Sequence, residues 1–278
     1  MALVPFPTKG AKPALTEDSE PDWDDHDPDS EGGGKMSFLD HLDELRRRIV
    51  YSLIGVGIGF VVAFVYIDDL FGFIVRPMQL MLPAGQTMIF TDPAEAFFLK
   101  IKIALMAGLI GASPIVFSQV WLFIAPGLYA HEKKLAIPFI VMSSVFFAAG
   151  AAFSHYVVFP IVWLFFAAQA TDFLTFTPRV EPSFSMYLRL ILALGLTFEL
   201  PTIVLFMARM GLVTAGFMIR HIKYAALIIV IAAAILSPDG GGVGMLAMGG
   251  PVFVLYLFSI GLAWVFGKRR RKPEAESA

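Results

Sequence analysis

The sequence predicts an all-α, polytopic membrane protein with six transmembrane helices and both termini in the cytoplasm. Three observations carry this. First, 57% of the 278 residues are hydrophobic, only 16% are charged, and the mean hydropathy is +0.73. A soluble domain of this length needs more polar surface than that composition supplies. Second, several uncharged runs reach or exceed the ~20 residues that cross a bilayer as helix. Third, Lys and Arg are distributed unevenly between the segments joining those runs.

Taken in order, residues 1–35 carry the acidic run "EDSEPDWDDHDPDSE" followed by "GGG". Low hydrophobicity with one dominant charge sign predicts a disordered tail, and no apolar core of signal-peptide length is present there. The membrane domain is expected over residues 36–267. In "FLDHLDELRRRI" the residues Phe38, Leu42, Leu45 and Ile49 recur at helical spacing, opposite Asp40, Asp43 and Glu44. This amphipathic segment leads into the first span, Ile49–Ile67. The second span runs from after Lys102 to near Phe123, with its start expected within "PAEAFFLKIK". The third run, Leu135–Thr171, has no Asp, Glu, Lys or Arg, and is too long for one perpendicular crossing. Pro160 is expected to bend it or to mark its exit from the bilayer. The fourth lies between Arg189 and Arg209. The fifth, Tyr224–Pro238, has only fifteen residues between Lys223 and Asp239. The sixth falls within Gly240–Gly267, and residues 268–278 form a basic tail.

Positive residues set the orientation. With the N-terminus inside, the inner segments hold fourteen: Lys35, Arg46, Arg47, Arg48, Lys133, Lys134, Arg209, Arg220, Lys223, Lys268, Arg269, Arg270, Arg271 and Lys272. The outer segments and helix ends hold five: Arg76, Lys100, Lys102, Arg179 and Arg189.

Catalytic and cofactor motifs fare poorly. "AHEKKL" lacks the second histidine of a zinc-protease helix, because Leu135 stands there. The remaining histidines are scattered. "SPDGGG" has no nucleophile elbow, "GGGVG" has no P-loop lysine, and there is no cysteine. The expectation is therefore no catalytic residue, no metal, no cofactor and no nucleic acid. Energy must come from a gradient or a partner.

Polar placement is more informative. Glu44 and Glu132 are acidic residues beside the membrane on the positive side, where they do nothing for topology. They are candidates for binding something basic, against the alternative of a solvated face. Glu199, in "GLTFELP", is the only charged residue between Arg189 and Arg209, ten positions from each. At ~1.5 Å per residue it lies about 15 Å from either, near the middle of a ~30 Å core. A charge there costs about 2.5–3.5 kcal/mol on insertion scales. Three roles compete: a structural carboxyl bonded to a neighbouring helix, a polar docking point for a partner, and a proton-coupling group in a small-solute transporter. An intramembrane hydrolase is a more distant alternative.

From Met36 to Phe266 the sequence closely resembles the TatC family, the multispanning component of the twin-arginine protein translocase. The resemblance rests on "HLDELRRR", the proline of "VRPM", "QVWLFIAPGLYAHEKK", "VVFP", "FELP" and "LSPD", in that order. It implies six helices with cytoplasmic termini in a bacterial inner membrane. It also implies a receptor and scaffold for exporting folded proteins, driven by the proton-motive force rather than by catalysis. Glu44, Arg46, Phe123 and Glu132 would bind twin-arginine signal peptides, with Phe123 packing the apolar residue beyond the arginines. Pro77, Glu199 and Asp239 match family positions with docking or structural roles. TatA- and TatB-like single-span proteins are the implied partners in a multimeric complex.

Overall fold

The computed structural model describes residues 38–82, 87–124, 136–171, 173–237 and 241–267. Leu42 onward forms one compact unit, and residues 38–41 are the first turn of a helix. The expected tail of residues 1–35, Glu132, Asp239 and the basic tail lie outside the described residues.

Every regular element among the described residues is a helix: α1 (Phe38–Val65), α2 (Ile67–Leu80), α3 (Glu95–Gly111), α4 (Ser113–Ile124), α5 (Ala136–Phe153), α6 (Phe159–Ala167), α7 (Val180–Thr197), α8 (Leu200–Arg209), α9 (Ala215–Arg220), α10 (Ile222–Leu236) and α11 (Gly242–Phe266). These make six crossings. Leu39–Val65, Ile137–Ala167, Val180–Arg209 and Gly242–Phe266 are each long and apolar enough alone. The pair α3–α4 makes another, bent by 55°. α10 is the sixth, with fifteen residues.

Each irregularity has a local cause. The α3–α4 bend sits at Ala112, just ahead of Pro114, which has no N–H to continue the ladder. The break between α7 and α8 falls at Phe198 and Glu199, ahead of Pro201. The third span is one continuous helix with a wide π-type turn, Ser154–Val158, just ahead of Pro160, where Phe159 N–H reaches back five residues to the Ser154 carbonyl. That turn accommodates the missing N–H, and the helix runs on for 31 residues, Ile137–Ala167. At ~46 Å this exceeds a ~30 Å core, so the span tilts or stands out of it. The second span begins at Glu95, within the expected "PAEAFFLKIK", so Lys100 and Lys102 lie within α3.

The centre is α7, whose Phe184, Tyr187, Leu190, Ile191 and Leu194 are all buried along one helical stripe. In lipid, apolar surface alone gives helices no reason to associate, so close backbone approach decides the contacts. Gly150 of α5 meets Gly195 of α7: a Cβ on Gly150 would lie 2.9 Å from the Gly195 Cα. Gly59 of α1 meets Gly108 of α3, where a Cβ would stand 2.5 Å from the Gly108 carbonyl oxygen. The second contact matters more, because only 6% of the first span is buried, against 39% of the fourth. α1 hangs on few contacts besides this crossing.

Candidate functional site

At the inner end of α1, Glu44 and Arg48 are one turn apart. Arg48 Nη2 donates to Glu44 Oε1 at 2.9 Å, and Arg48 Nη1 donates to Gln119 Oε1 on α4 at 3.3 Å. Glu44 Oε2 and Arg48 Nε are both buried and have no hydrogen-bond partner. The carboxylate is thus half satisfied: a guanidinium that can bind through two parallel bonds uses one. Arg46, two residues from Glu44, is exposed. Phe123 is half-buried on α4, one turn past Gln119. The structure therefore links Glu44 through Arg48 to the helix that carries Phe123, and turns Arg46 to the outside. Arg48 and Gln119 were not singled out by sequence reasoning. Arg48 looked like a topology anchor, and only the presence of a Gln within the second span hinted at the network.

The second polar centre is Glu199. It occupies the break between α7 and α8 and is buried, 6% exposed. The Ser143 hydroxyl, on α5, donates to its carboxyl. Ser143 Oγ in turn accepts from Trp121 Nε1 of α4 at 3.1 Å. Phe139 stacks on Trp121, and Phe206 of α8 meets both rings edge-on. Glu199 Oε1 is left without a partner, as is the buried hydroxyl of Thr202 close by in sequence. Three spans thus converge on one carboxyl, two of them through a serine hidden in the apolar run "VMSSV". No sequence signal separates Ser143 from its neighbour Ser144, whose hydroxyl only bonds back to the Ile140 carbonyl at 2.8 Å.

Pro77 lies within α2, a short helix that continues through it to Leu80. It lines an open cleft of about 870 Å³ with Arg76, Phe73, His155 and Tyr156. His155 is a satisfied core residue, its Nδ1 2.9 Å from the Tyr187 hydroxyl and its ring stacked on Phe73. The described residues hold no cluster of three or more potential metal ligands.

The outer side has its own organising group, which sequence reasoning overlooked. Glu95, at the start of α3, is buried and accepts three backbone N–H groups: Thr91 at 2.9 Å, Asp92 at 3.4 Å and Glu181 at 2.7 Å. It ties the segment before α3 to the start of α7. Lys102 reaches Glu181 at 2.8 Å, Lys100 reaches Asp68 at 2.6 Å, and Arg179 bonds Thr91 at 2.6 Å. Three of the five outer cations are therefore spent on cross-links, which explains why they break the charge asymmetry.

This arrangement defines a multi-pass helical membrane protein with polar side chains buried between its helices. A model of the TatC family, the Sec-independent protein translocase protein, matches residues 40–251. The TatC protein of Desulforapulum autotrophicum is 40% identical over 88% of this chain and 90% of its own length. That of Escherichia coli is 32% identical over 85% of this chain and 92% of its own. A crystal structure of the twin arginine translocase receptor TatC superposes with a TM-score of 0.69 at 33% identity, covering 80% of this chain and 97% of that one. A second, in DDM, gives 0.71 at 32% identity, covering 82% and 100%. The chain belongs to the TatC family. It is a multi-pass protein of the bacterial inner membrane and a translocase component with a transport role, working within a multisubunit complex.

Proposed function

We propose that this chain is the signal-peptide receptor and assembly scaffold of a twin-arginine translocase, which exports folded proteins using the proton-motive force. The observation that supports the receptor role is the half-satisfied Glu44 carboxylate at the inner end of α1. A buried acceptor left open costs about 1–3 kcal/mol, and an arginine guanidinium with parallel donors is the side chain best shaped to fill it. Arg48 already pairs with the other oxygen of the same carboxylate. Glu132 supplies the second carboxylate, one for each arginine, and Phe123 packs the apolar residue that follows them. Exposed Arg46 contributes to the same surface. Glu199, Pro77 and Asp239 serve helix docking, with TatA- and TatB-like single-span proteins as partners.

The test is photocrosslinking of a twin-arginine peptide to the full chain in native membranes, with a twin-lysine peptide as control. Glu132→Lys abolishes the crosslink while leaving membrane insertion intact, and the Glu44→Ala, Glu132→Ala double variant does the same. Unchanged crosslinking in the double variant overturns the reading.

A further inference from the structure

One cation remains unexplained inside the fourth span. Arg189 sits nine residues after Val180, the first residue of α7, which is about 13.5 Å along the helix axis at ~1.5 Å per residue. It is exposed, and it has no hydrogen bond or ion pair with any described residue. It lines a groove of about 760 Å³ between α7 and the end of α10.

The groove is amphiphilic along its length. Glu181, Ser185 and Arg189 follow one another at one-turn intervals on its outer part, Leu192 and Leu196 line it further along α7, and Ile235 lines it from the end of α10. Glu181 does not neutralise Arg189, because its Oε1 is taken by Lys102 at 2.8 Å and by Ser185 at 2.7 Å. The uncompensated charge among the described lining residues is the guanidinium.

The length of α10 explains how a headgroup can come down to it. Fifteen residues cover ~22 Å, about 8 Å short of a ~30 Å core. A bilayer that thins to match α10 on its outer side lowers the headgroup level by that amount. Arg189 then lies roughly 5 to 6 Å below it, a gap that an extended arginine side chain bridges.

We propose that this groove binds one outer-leaflet anionic phospholipid, with its phosphate paired to Arg189 and an acyl chain along Leu192 and Leu196. The two free oxygens of a phosphodiester match the donor fork of a guanidinium. An anionic headgroup is favoured over a zwitterionic one, whose own cation competes for the phosphate. The bound lipid holds the thinned bilayer at the short helix.

The test is native mass spectrometry of the full chain in detergent, supplied with phosphatidylglycerol or phosphatidylcholine. The wild-type chain retains one phosphatidylglycerol in preference to phosphatidylcholine. Arg189→Gln weakens that retention about ten-fold, the loss of one charge-assisted pair, and Arg189→Lys falls between the two. Ala193→Trp, which obstructs the apolar wall and leaves the guanidinium in place, also loses the lipid. Arg189 makes no hydrogen bond or ion pair with a described residue, so Arg189→Gln keeps the elution profile and melting temperature of the wild type. Equal retention by Arg189→Gln and wild type overturns the proposal. So does phosphatidylcholine held as well as phosphatidylglycerol, or release of the lipid by millimolar inorganic phosphate, which would assign the site to a free anion.

Discussion

Gly108→Ala adds one methyl group at the crossing of α1 and α3, and the structure gives the consequence. The new Cβ would stand 2.5 Å from the Phe60 backbone nitrogen, 2.7 Å from the Gly59 carbonyl carbon and 2.8 Å from the Phe60 Cα. All three neighbours are backbone, so no flexible side chain can turn aside. The helices must part by close to 1 Å to restore ordinary contact. Overpacking of this kind costs about 1–3 kcal/mol, and alanine's advantage over glycine in a helix returns up to ~1 kcal/mol of it. The loss concentrates on α1, which has little other buried surface, and it displaces Glu44 and Arg48 from Gln119. Gly57→Ala is the control: nothing lies within 4 Å of its Cβ, so the same methyl is neutral or stabilising. The assay pairs thermal unfolding in detergent with crosslinking of the twin-arginine peptide. Gly108→Ala is expected to unfold earlier and to bind peptide several-fold more weakly, while Gly57→Ala matches the wild type. Equal melting and equal binding for the two variants would refute the reasoning.

Two further outcomes are expected. Glu199→Gln keeps a carbonyl oxygen to accept from Ser143 and retains partial partner assembly and export, whereas Glu199→Ala loses more of both; equal and complete loss of export with assembly intact in the two variants would identify a proton-coupling group instead. Lengthening α10 by four leucines relieves its mismatch with the bilayer and lowers export without unfolding the protein, as read by a reporter-export assay and a melting curve; full export by the longer helix would remove thinning from the mechanism.

The class of fold was readable because bilayer length and charge asymmetry act on long stretches of sequence. Spans one, five and six lie where uncharged runs place them. A membrane helix tolerates polar groups when a neighbouring helix satisfies them. The second span starts at Glu95, within the expected "PAEAFFLKIK", and Lys102 stays inside α3 because Glu181 receives it. In the third span a π-type turn, Ser154–Val158, precedes Pro160 within one continuous helix, which the residue pattern did not show. Glu199 was conspicuous because it is alone in an apolar run, but Ser143 and Trp121 were invisible, since a serine or tryptophan within a span is unremarkable until a second helix meets it. Gln119 and Arg48 were obscured in the same way. What the sequence withholds is pairing between helices, and these polar sites consist of such pairings.

The distribution of unfinished bonds argues for where binding occurs. Among the described residues four ionisable side chains keep a buried atom without a hydrogen-bond partner: Glu44, Arg48, Glu199 and Arg209. By the charge orientation the first two and the last lie toward the cytoplasm, and Glu199 lies mid-membrane. On the outer side Glu95 is saturated by three N–H groups, and Lys100 and Lys102 are paired. A partner gains little by approaching groups that already have their bonds. It gains most where a desolvated group still lacks one, because the desolvation has been met on folding and only the new bond remains to be counted. On the proposed reading the cross-linked outer segments around Glu95 act as the fixed frame, and the inner end of α1 and the Glu199 break are where an incoming peptide or helix would complete the bonding. On the proposed reading this also explains why α1 is so lightly held. A helix carrying half of a binding site must shift to let a second guanidinium reach Glu44 Oε2, and its shallow burial leaves few contacts for that shift to break.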